Sequence, residues 1–345
     1  MMKIGQLQVP EHWHRIRTID MHTGGEPLRV VVEGFPELTG SSVLENRRIL
    51  MQQYDYLRKV LMHEPRGHAD MYGCVLTPPN DAGADFGIIF LHNEGYSTMC
   101  GHATIAIAKL AVVMGWVQVE EPFTHLKIDA PCGRLDVSVR VENGQVLFSR
   151  FRCVPSFVVA LDQAVEVPGL GRVHYDLAYG GAFYAYVQAE DLNLPLIPER
   201  YSEIIQKGMA IKRAVMANSD QVKHPFEPDL SFLYGTIFMG GPVSPGVDSR
   251  NVCVFAEGEV DRSPTGSGVS GRLPIHYARG EINLGDTLII ESILGSVFKG
   301  TLIEELDYGP FRALVPEVEG TAFITGQHEF LIDPEDPFRH GFFLR

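Results

Sequence analysis

The chain has 345 residues, 45% hydrophobic and 21% charged, a balance typical of a soluble globular protein of one or two domains. Its 29 Lys and Arg residues against 43 Asp and Glu residues give a formal net charge of −14, which argues against a nucleic-acid surface or an anionic membrane as partner. We recognise no signal peptide and no apolar run of about 18 residues, and an odd number of widely spaced cysteines favours reduced thiols in a cytoplasmic protein.

Two helices are predicted in the first half of the chain. Apolar residues recur on one face of Leu44–Met62, which predicts an amphipathic helix there. His102–Met114 is apolar nearly all round, so we expect a buried helix that ends at Gly115. Strands are predicted before and after this helix, at Asp85–His92 and Leu126–Asp129.

Strand patterns dominate the rest of the chain. Asn143-Gly144 lies between two apolar segments, Leu135–Val141 and Val146–Phe151, and is a strong signal for a hairpin turn of two residues. A helical pattern covers Arg200–Met216. Later strands are predicted at Phe232–Met239, Asn251–Ala256, Thr287–Ile293, Ser296–Leu306 and Ala322–Ile324.

A weak internal repeat relates the two halves of the chain. Met99–Gly115 (MCGHATIAIAKLAVVMG) and Pro264–Gly280 (PTGSGVSGRLPIHYARG) align without a gap, and Cys100 then corresponds to Thr265. Each half also has a Gly-Gly pair ahead of an apolar, strand-like run. The repeat predicts two similar halves, each presenting one helix N-terminus to a cleft between them.

Cys100 is the candidate for chemistry, because it directly precedes a predicted helix. A helix N-terminus lowers the pKa of a thiol, and the free N–H groups of Gly101, His102 and Ala103 can bind a carboxylate. Abstraction of a proton next to a carboxylate needs such a base beside such an anion site. A lone buried Cys is the alternative, but the Met-Cys-Gly-His context favours the catalytic role. His102 is equally compatible with a buried, hydrogen-bonded histidine.

The other candidate motifs carry weaker signals. Asp261–Gly268 (DRSPTGSG) can offer backbone N–H groups to a ligand or be a plain surface turn, and it lacks the Lys of a nucleotide-binding loop. His22, Glu26 and Phe183 are weak candidates for the cleft. Pro65 breaks the helix that a metal site at His63, Glu64 and His68 would need, and Cys74, Cys132, Cys153 and Cys253 have no metal or redox spacing.

These motifs resemble those of the proline racemase family, which includes 4-hydroxyproline epimerases and trans-3-hydroxyproline dehydratases. The resemblance covers nearly the whole chain and rests on four ordered segments: Asp20–Val30, Glu64–Gly73, Met99–Ala106 and Asp261–Gly268. It implies a diaminopimelate-epimerase-like α+β fold of two pseudo-symmetric halves, in each of which strands wrap around a central helix. We expect residues 1–132 with 320–345 to form one half and residues 133–319 the other.

The resemblance also implies a site that works without a metal or an organic cofactor. Cys100 is then the catalytic thiol and Asp261 contacts the ring amine of a small amino-acid substrate. The substrate carboxylate is held by Gly101, His102, Gly266 and Ser267. A homodimer is compatible with the sequence, which does not determine the oligomeric state.

Thr265 decides the expected reaction, because the racemases and epimerases have a second Cys at its position. Inversion needs a base on one face and an acid on the other, whereas the dehydratases pair Cys with Thr. We therefore expect dehydration of trans-3-hydroxy-L-proline to 1-pyrroline-2-carboxylate, with Cys100 as the single base. Three alternatives stay open: a 4-hydroxyproline epimerase or proline racemase that uses water or Thr265 as a poor acid, a non-catalytic amino-acid-binding protein, and a thiol redox protein, which would need paired cysteines.

Overall fold

The strand-rich sequence folds into one continuous 18-stranded sheet with five α-helices within residues 7–344, which the computed structural model describes. The strands are β1 (His14–Thr23), β2 (Glu26–Glu33), β3 (Gly73–Thr77), β4 (Phe86–Leu91), β5 (Tyr96–Ser97), β6 (Phe123–Ala130), β7 (Gly133–Glu142), β8 (Gln145–Arg152), β9 (Phe157–Val167), β10 (Gly171–Tyr179), β11 (Phe183–Gln188), β12 (Leu233–Gly240), β13 (Ser249–Phe255), β14 (Glu259–Val260), β15 (Thr287–Glu291), β16 (Val297–Tyr308), β17 (Phe311–Gly320) and β18 (Ala322–Ile332). The helices are α1 (Val43–Gln53), α2 (Asp55–Met62), α3 (Gly101–Val113), α4 (Tyr201–Asn218) and α5 (Gly266–Ala278). In this described part of the chain, no helix is both long and apolar enough to cross a membrane.

The order of strand pairings repeats between the two halves of the chain. β1 pairs antiparallel with β2, β2 parallel with β3, β3 antiparallel with β4, and β4 parallel with β6. β10, β11, β12, β13 and β15 pair in the same succession of directions. α3 lies between β5 and β6, and α5 lies at the equivalent place between β14 and β15. The predicted repeat and the α+β architecture are therefore confirmed.

Two long-range pairings connect the halves into one sheet. β8 pairs antiparallel with β17, and β18 returns from the end of the chain to pair with β1. β7 and β8 continue the sheet from β6, so the pairing pattern groups them with the first half. The division into residues 1–132 with 320–345 and residues 133–319 stays a prediction.

Each half packs its strands around one central helix. All residues of α3 except Lys109 and Val113 are buried, as the uniformly apolar sequence predicts. α3 packs against β1, β8, β17 and β18, and α5 packs against β9, β10, β16 and β17. Ile105 and Leu110 are almost completely buried, and each such side chain contributes roughly 1.5–3 kcal/mol of burial free energy.

Of the elements predicted from short sequence patterns, a hairpin is confirmed and a single long helix is wrong. The hairpin at Asn143-Gly144 is confirmed, since both residues have positive φ angles (51° and 74°) and Glu142 pairs with Gln145. The single helix over Leu44–Met62 is wrong, because Tyr54 leaves the helical region with φ −130° and separates α1 from α2.

A tertiary contact explains that break, and the sequence pattern explains the missed strand residues. In α2, the buried guanidinium of Arg58 donates to the backbone carbonyl oxygens of His92 and Asn93 at 2.8 and 2.6 Å, which fixes the direction of the second helix. β18 is far longer than the predicted Ala322–Ile324. The prediction ends too early because most side chains of β18 are exposed and lack an apolar alternation. β9 and β17 were not predicted at all.

Candidate active site

The N-termini of α3 and α5 meet in the cleft between the halves. A Cβ atom on Gly101 would lie 2.5 Å from Gly266 Cα, and one on Gly266 would lie 2.6 Å from Gly101 Cα. Only glycine permits this approach of two backbones. The first N–H groups of each helix have no partner within the helix, and both helix dipoles place partial positive charge at the same point. The arrangement is suited to a carboxylate.

A small cavity lies at this junction and gathers the seven residues predicted to act on or bind the substrate, though not the weaker candidates. Its lining comprises Tyr72, Met99, Cys100, Gly101, His102, Tyr184, Tyr234, Phe255, Asp261, Thr265, Gly266 and Ser267. Met99 and Tyr72 lie in the segments Met99–Ala106 and Glu64–Gly73, but neither they nor the other three aromatic residues are predicted from the sequence to line the site, because no spacing signal marks them. Together they provide an apolar wall around a polar end, which suits a small ring that bears a carboxylate.

Cys100 caps α3 and contacts His102. Its Sγ accepts a hydrogen bond from Ala103 N–H at 3.4 Å and lies 3.1 Å from His102 Nδ1. His102 Nε2 lies 3.2 Å from the Pro27 carbonyl oxygen, which can only accept, so we place the ring hydrogen on Nε2. Nδ1 is then free to accept a hydrogen bond from the thiol of Cys100.

Burial controls the ionisation of this pair. It raises the pKa of the Cys100 thiol well above its usual range; the Ala103 N–H and the Tyr72 hydroxyl lower that pKa, and the carboxyl groups of Asp261 and Glu26 raise it further. Burial likewise lowers the pKa of His102 to about 3, so its imidazole is neutral. The expectation of a lowered thiol pKa is therefore wrong for the structure as it stands, because desolvation outweighs the helix terminus.

Asp261 and Thr265 reach the cavity from the second half of the chain. Asp261 accepts from Ser263 N–H at 2.7 Å, and burial raises its pKa to about 6 although the hydroxyl groups of Ser263 and Thr265 lower it. At neutral pH the carboxylate is ionised and can pair with an ammonium group. Thr265 has φ +65°, which a β-branched residue adopts only under strain of about 1–3 kcal/mol.

Of the weaker candidates, Glu26 lies close to the site without lining the cavity. Its fully buried carboxyl accepts from Arg262 N–H at 2.7 Å and so holds the loop of Asp261 from the opposite half. His22 accepts from Gly25 N–H and stacks on Phe323, away from the lining. Phe183 packs on Phe157 and Tyr179; its neighbour Tyr184 lines the cavity instead, since successive residues of β11 face opposite sides.

The residues considered for a metal site have other partners. His63 Nε2 hydrogen-bonds the Asn93 carbonyl oxygen at 2.9 Å, and His68 Nδ1 accepts from Asp70 N–H. Across residues 7–344, no group of three or more His, Cys, Asp and Glu side chains is arranged to hold a metal ion.

Comparisons with known proteins agree with this geometry. The sequence pattern described as proline racemase matches residues 18–343. A trans-3-hydroxy-L-proline dehydratase from Colwellia psychrerythraea is 49% identical over 335 residues, which cover 97% of this chain and 94% of that protein. A 3-hydroxyproline 2-epimerase from Burkholderia multivorans is 46% identical, with 96% and 98% covered. The crystal structure of a hydroxyproline epimerase from Agrobacterium vitis with bound trans-4-hydroxy-L-proline matches with a TM-score of 0.90 at 28% identity, over 98% of this chain and 97% of that one.

Proposed function

This chain belongs to the proline racemase family, and from that premise we propose that it dehydrates trans-3-hydroxy-L-proline to 1-pyrroline-2-carboxylate without a cofactor. The observation that carries the proposal is the pair of helix N-termini at one cavity, one with the thiol of Cys100 and the other with the hydroxyl of Thr265. The named dehydratase relative supports the same substrate and reaction.

The substrate is a zwitterion, and the cavity offers a partner for each of its charges. The N–H groups of Gly101, His102, Gly266 and Ser267 hold its carboxylate, and Asp261 pairs with the ring ammonium. Hydrogen bonds to ionised groups are short and stronger than neutral ones, so these contacts fix both the position and the orientation of the ring. The ring itself lies against the aromatic wall.

Substrate binding also favours the thiolate form of Cys100. The ring ammonium offsets the charge of Asp261, which otherwise raises the pKa of the thiol. The thiolate removes the C2 proton, and the negative charge that develops on the substrate carboxylate is stabilised by the helix N-termini. The C3–O bond then breaks and leaves an enamine, and the proton lost from C2 balances the one that the 3-hydroxyl gains as it leaves as water. The enamine tautomerises to 1-pyrroline-2-carboxylate.

Stereochemistry explains why one thiol is sufficient. In the trans isomer the carboxylate and the 3-hydroxyl lie on opposite faces of the ring, so the C2 hydrogen and the 3-hydroxyl share one face. Both groups therefore leave towards the side of Cys100. Thr265, at the second helix N-terminus, is not required as an acid, and a hydroxyl group there is compatible with dehydration.

Epimerisation at C2 is the second candidate, because a relative named 3-hydroxyproline 2-epimerase is 46% identical. It would need a proton donor on the face of Thr265, whose hydroxyl is a poor acid at neutral pH. Incubation of the pure protein with trans-3-hydroxy-L-proline, both 4-hydroxyproline epimers and proline separates the candidates. Pyrroline without a new diastereomer supports dehydration; a new diastereomer without pyrroline supports epimerisation; binding without turnover supports a binding protein.

We also propose a cytoplasmic location for the enzyme. The five cysteines are all unpaired, which supports a reducing, cytoplasmic location.

Prolonged chelation should leave the dehydration rate unchanged, and a loss restored by a divalent ion would contradict the metal-free mechanism. We keep a homodimer as the proposed assembly, to be tested by light scattering.

A further inference from the structure

Tyr72 and Tyr234 bring two phenol hydroxyl groups to the cavity wall. Their side chains are 2% and 5% exposed, respectively. Neither hydroxyl has a partner in hydrogen-bond geometry, although the two lie near each other and near Ser97, close enough for each pKa to be affected. The hydroxyl of Tyr184, in contrast, is paired with Ser267 Oγ at 2.8 Å. A buried hydroxyl without a hydrogen bond is unfavourable, so a partner within the cavity is expected.

Tyr72 lies on the same side of the cavity as the thiol. Its ring meets the ring of His102 edge-on at 4.8 Å between centroids, and His102 Nδ1 lies 3.1 Å from Cys100 Sγ. The Tyr72 hydroxyl is close enough to the thiol to lower the pKa of Cys100. A group that leaves the substrate on the face of Cys100 therefore leaves towards Tyr72.

The leaving hydroxyl needs a proton, since hydroxide is a poor leaving group. Resting on the dehydration proposed above, we infer that Tyr72 is a further catalytic residue, whose hydroxyl binds the 3-hydroxyl of the substrate and protonates it as the C3–O bond breaks. Tyr234 is then a positioning residue, because its own hydroxyl lies beside that of Tyr72.

The proton balance closes between two side chains. The thiolate of Cys100 takes the C2 proton, and the electron pair of the C2–H bond forms the C2=C3 double bond. The electron pair of the C3–O bond stays on oxygen, which takes the Tyr72 proton and leaves as water. The thiol proton of Cys100 then passes to the phenolate of Tyr72, which restores the thiolate and the phenol. Burial raises the pKa of both the Tyr72 phenol and the Cys100 thiol, and the return of this proton restores both groups for the next turnover.

The test compares two leaving groups in the parent and in Tyr72→Phe. Hydroxide needs a proton to leave, whereas chloride does not. We expect Tyr72→Phe to lower kcat for trans-3-hydroxy-L-proline by about 100-fold or more, the usual contribution of a general acid. Elimination of chloride from trans-3-chloro-L-proline should stay within about tenfold of the parent, because the variant loses only the effect of the hydroxyl on the pKa of the thiol. Cys100→Ala should abolish both reactions, since both need the C2 proton removed.

The outcomes separate this inference from the proposed function. Equal losses on both substrates would show that Tyr72 only tunes the thiol, and unchanged dehydration would show that it takes no part; either result overturns the inference alone. A parent that forms no pyrroline overturns the proposed function and the inference together. Tyr72→Phe keeps the buried ring and its edge-on contact with His102, so the variant should stay folded, which thermal unfolding checks. Tyr234→Phe should reduce dehydration less than Tyr72→Phe does.

Discussion

The N-termini of α3 and α5 occupy equivalent places in the two halves but differ in backbone and chemistry. Cys100 caps α3 in an extended conformation with φ −147°, and its sulfur accepts a hydrogen bond from the helix. Thr265 precedes α5 with φ +65° and makes no side-chain cap hydrogen bond. Each helix has 13 residues and is followed by a glycine with positive φ, Gly115 or Gly280. A repeated backbone thus presents two different side chains to one cavity.

This difference separates binding from reaction type. In the proposed mechanism the carboxylate is held by backbone N–H groups, which both halves keep whatever side chain stands at the helix N-terminus. The reaction depends on the side chains, since two thiols serve inversion whereas one thiol serves removal of a single proton. On this proposal, one substitution at a helix N-terminus changes the reaction and leaves the substrate site intact.

The largest effect on activity is expected at Cys100, at the N-terminus of α3. Cys100→Ser keeps the size of the side chain and its contacts with Ala103 and His102, but a hydroxyl is far less acidic than a thiol. Turnover of trans-3-hydroxy-L-proline should fall by about 100-fold or more, with an unchanged thermal unfolding temperature. Cys74→Ala, in the core strand β3, is the matched control and should keep its activity. A Cys100→Ser enzyme within about tenfold of the parent would remove Cys100 as the base.

Asp261, which precedes the N-terminus of α5, should have the next largest effect on activity. Asp261→Asn keeps the shape and can still accept from Ser263 N–H, but it removes the charge that pairs with the ring ammonium. Loss of one charge-assisted contact predicts a decrease in kcat/KM of about 10-fold to 100-fold, mainly through KM. Steady-state kinetics and thermal unfolding check this. A variant that unfolds instead would assign Asp261 a structural role in the turn.

The pH profile should report the same carboxyl group. Burial raises the pKa of Asp261 from 3.8 to about 6, so kcat/KM should decrease as the pH falls through about 6, where the carboxyl becomes neutral. A folded-state pKa above the unfolded value means that the folded protein binds the proton more tightly. This group therefore makes the fold more stable, not less, as the pH falls from 6 towards 4, and unfolding does not explain the loss. An acid limb that persists in Asp261→Asn would belong to another group.

The sequence predicted the polar end of the site but not its walls. Cys100, Asp261 and Thr265 lie in short motifs beside helix N-termini, where local spacing and family resemblance carry the information. Tyr72, which precedes β3, and Tyr234, in β12, are far apart in the sequence and meet only in the folded chain, which no local pattern specifies. The break at Tyr54 has the same origin, because contacts of α2 with a distant loop override a helical pattern.

Thr265→Cys should have the smallest effect on dehydration and the most informative effect on specificity. The variant makes the second helix N-terminus chemically similar to the first. Dehydration of trans-3-hydroxy-L-proline should stay within about tenfold of the parent, because that reaction takes its proton on the other face. For 4-hydroxyproline, which has no leaving group at C3, the new thiol can donate a proton opposite Cys100, so detectable epimerisation at C2 should appear. Chiral separation of the products measures it, and Thr265→Ser, which keeps a hydroxyl, is the control that should form no epimer. A parent that already epimerises 4-hydroxyproline efficiently and forms no pyrroline would show that the difference between the two helix ends does not determine the reaction.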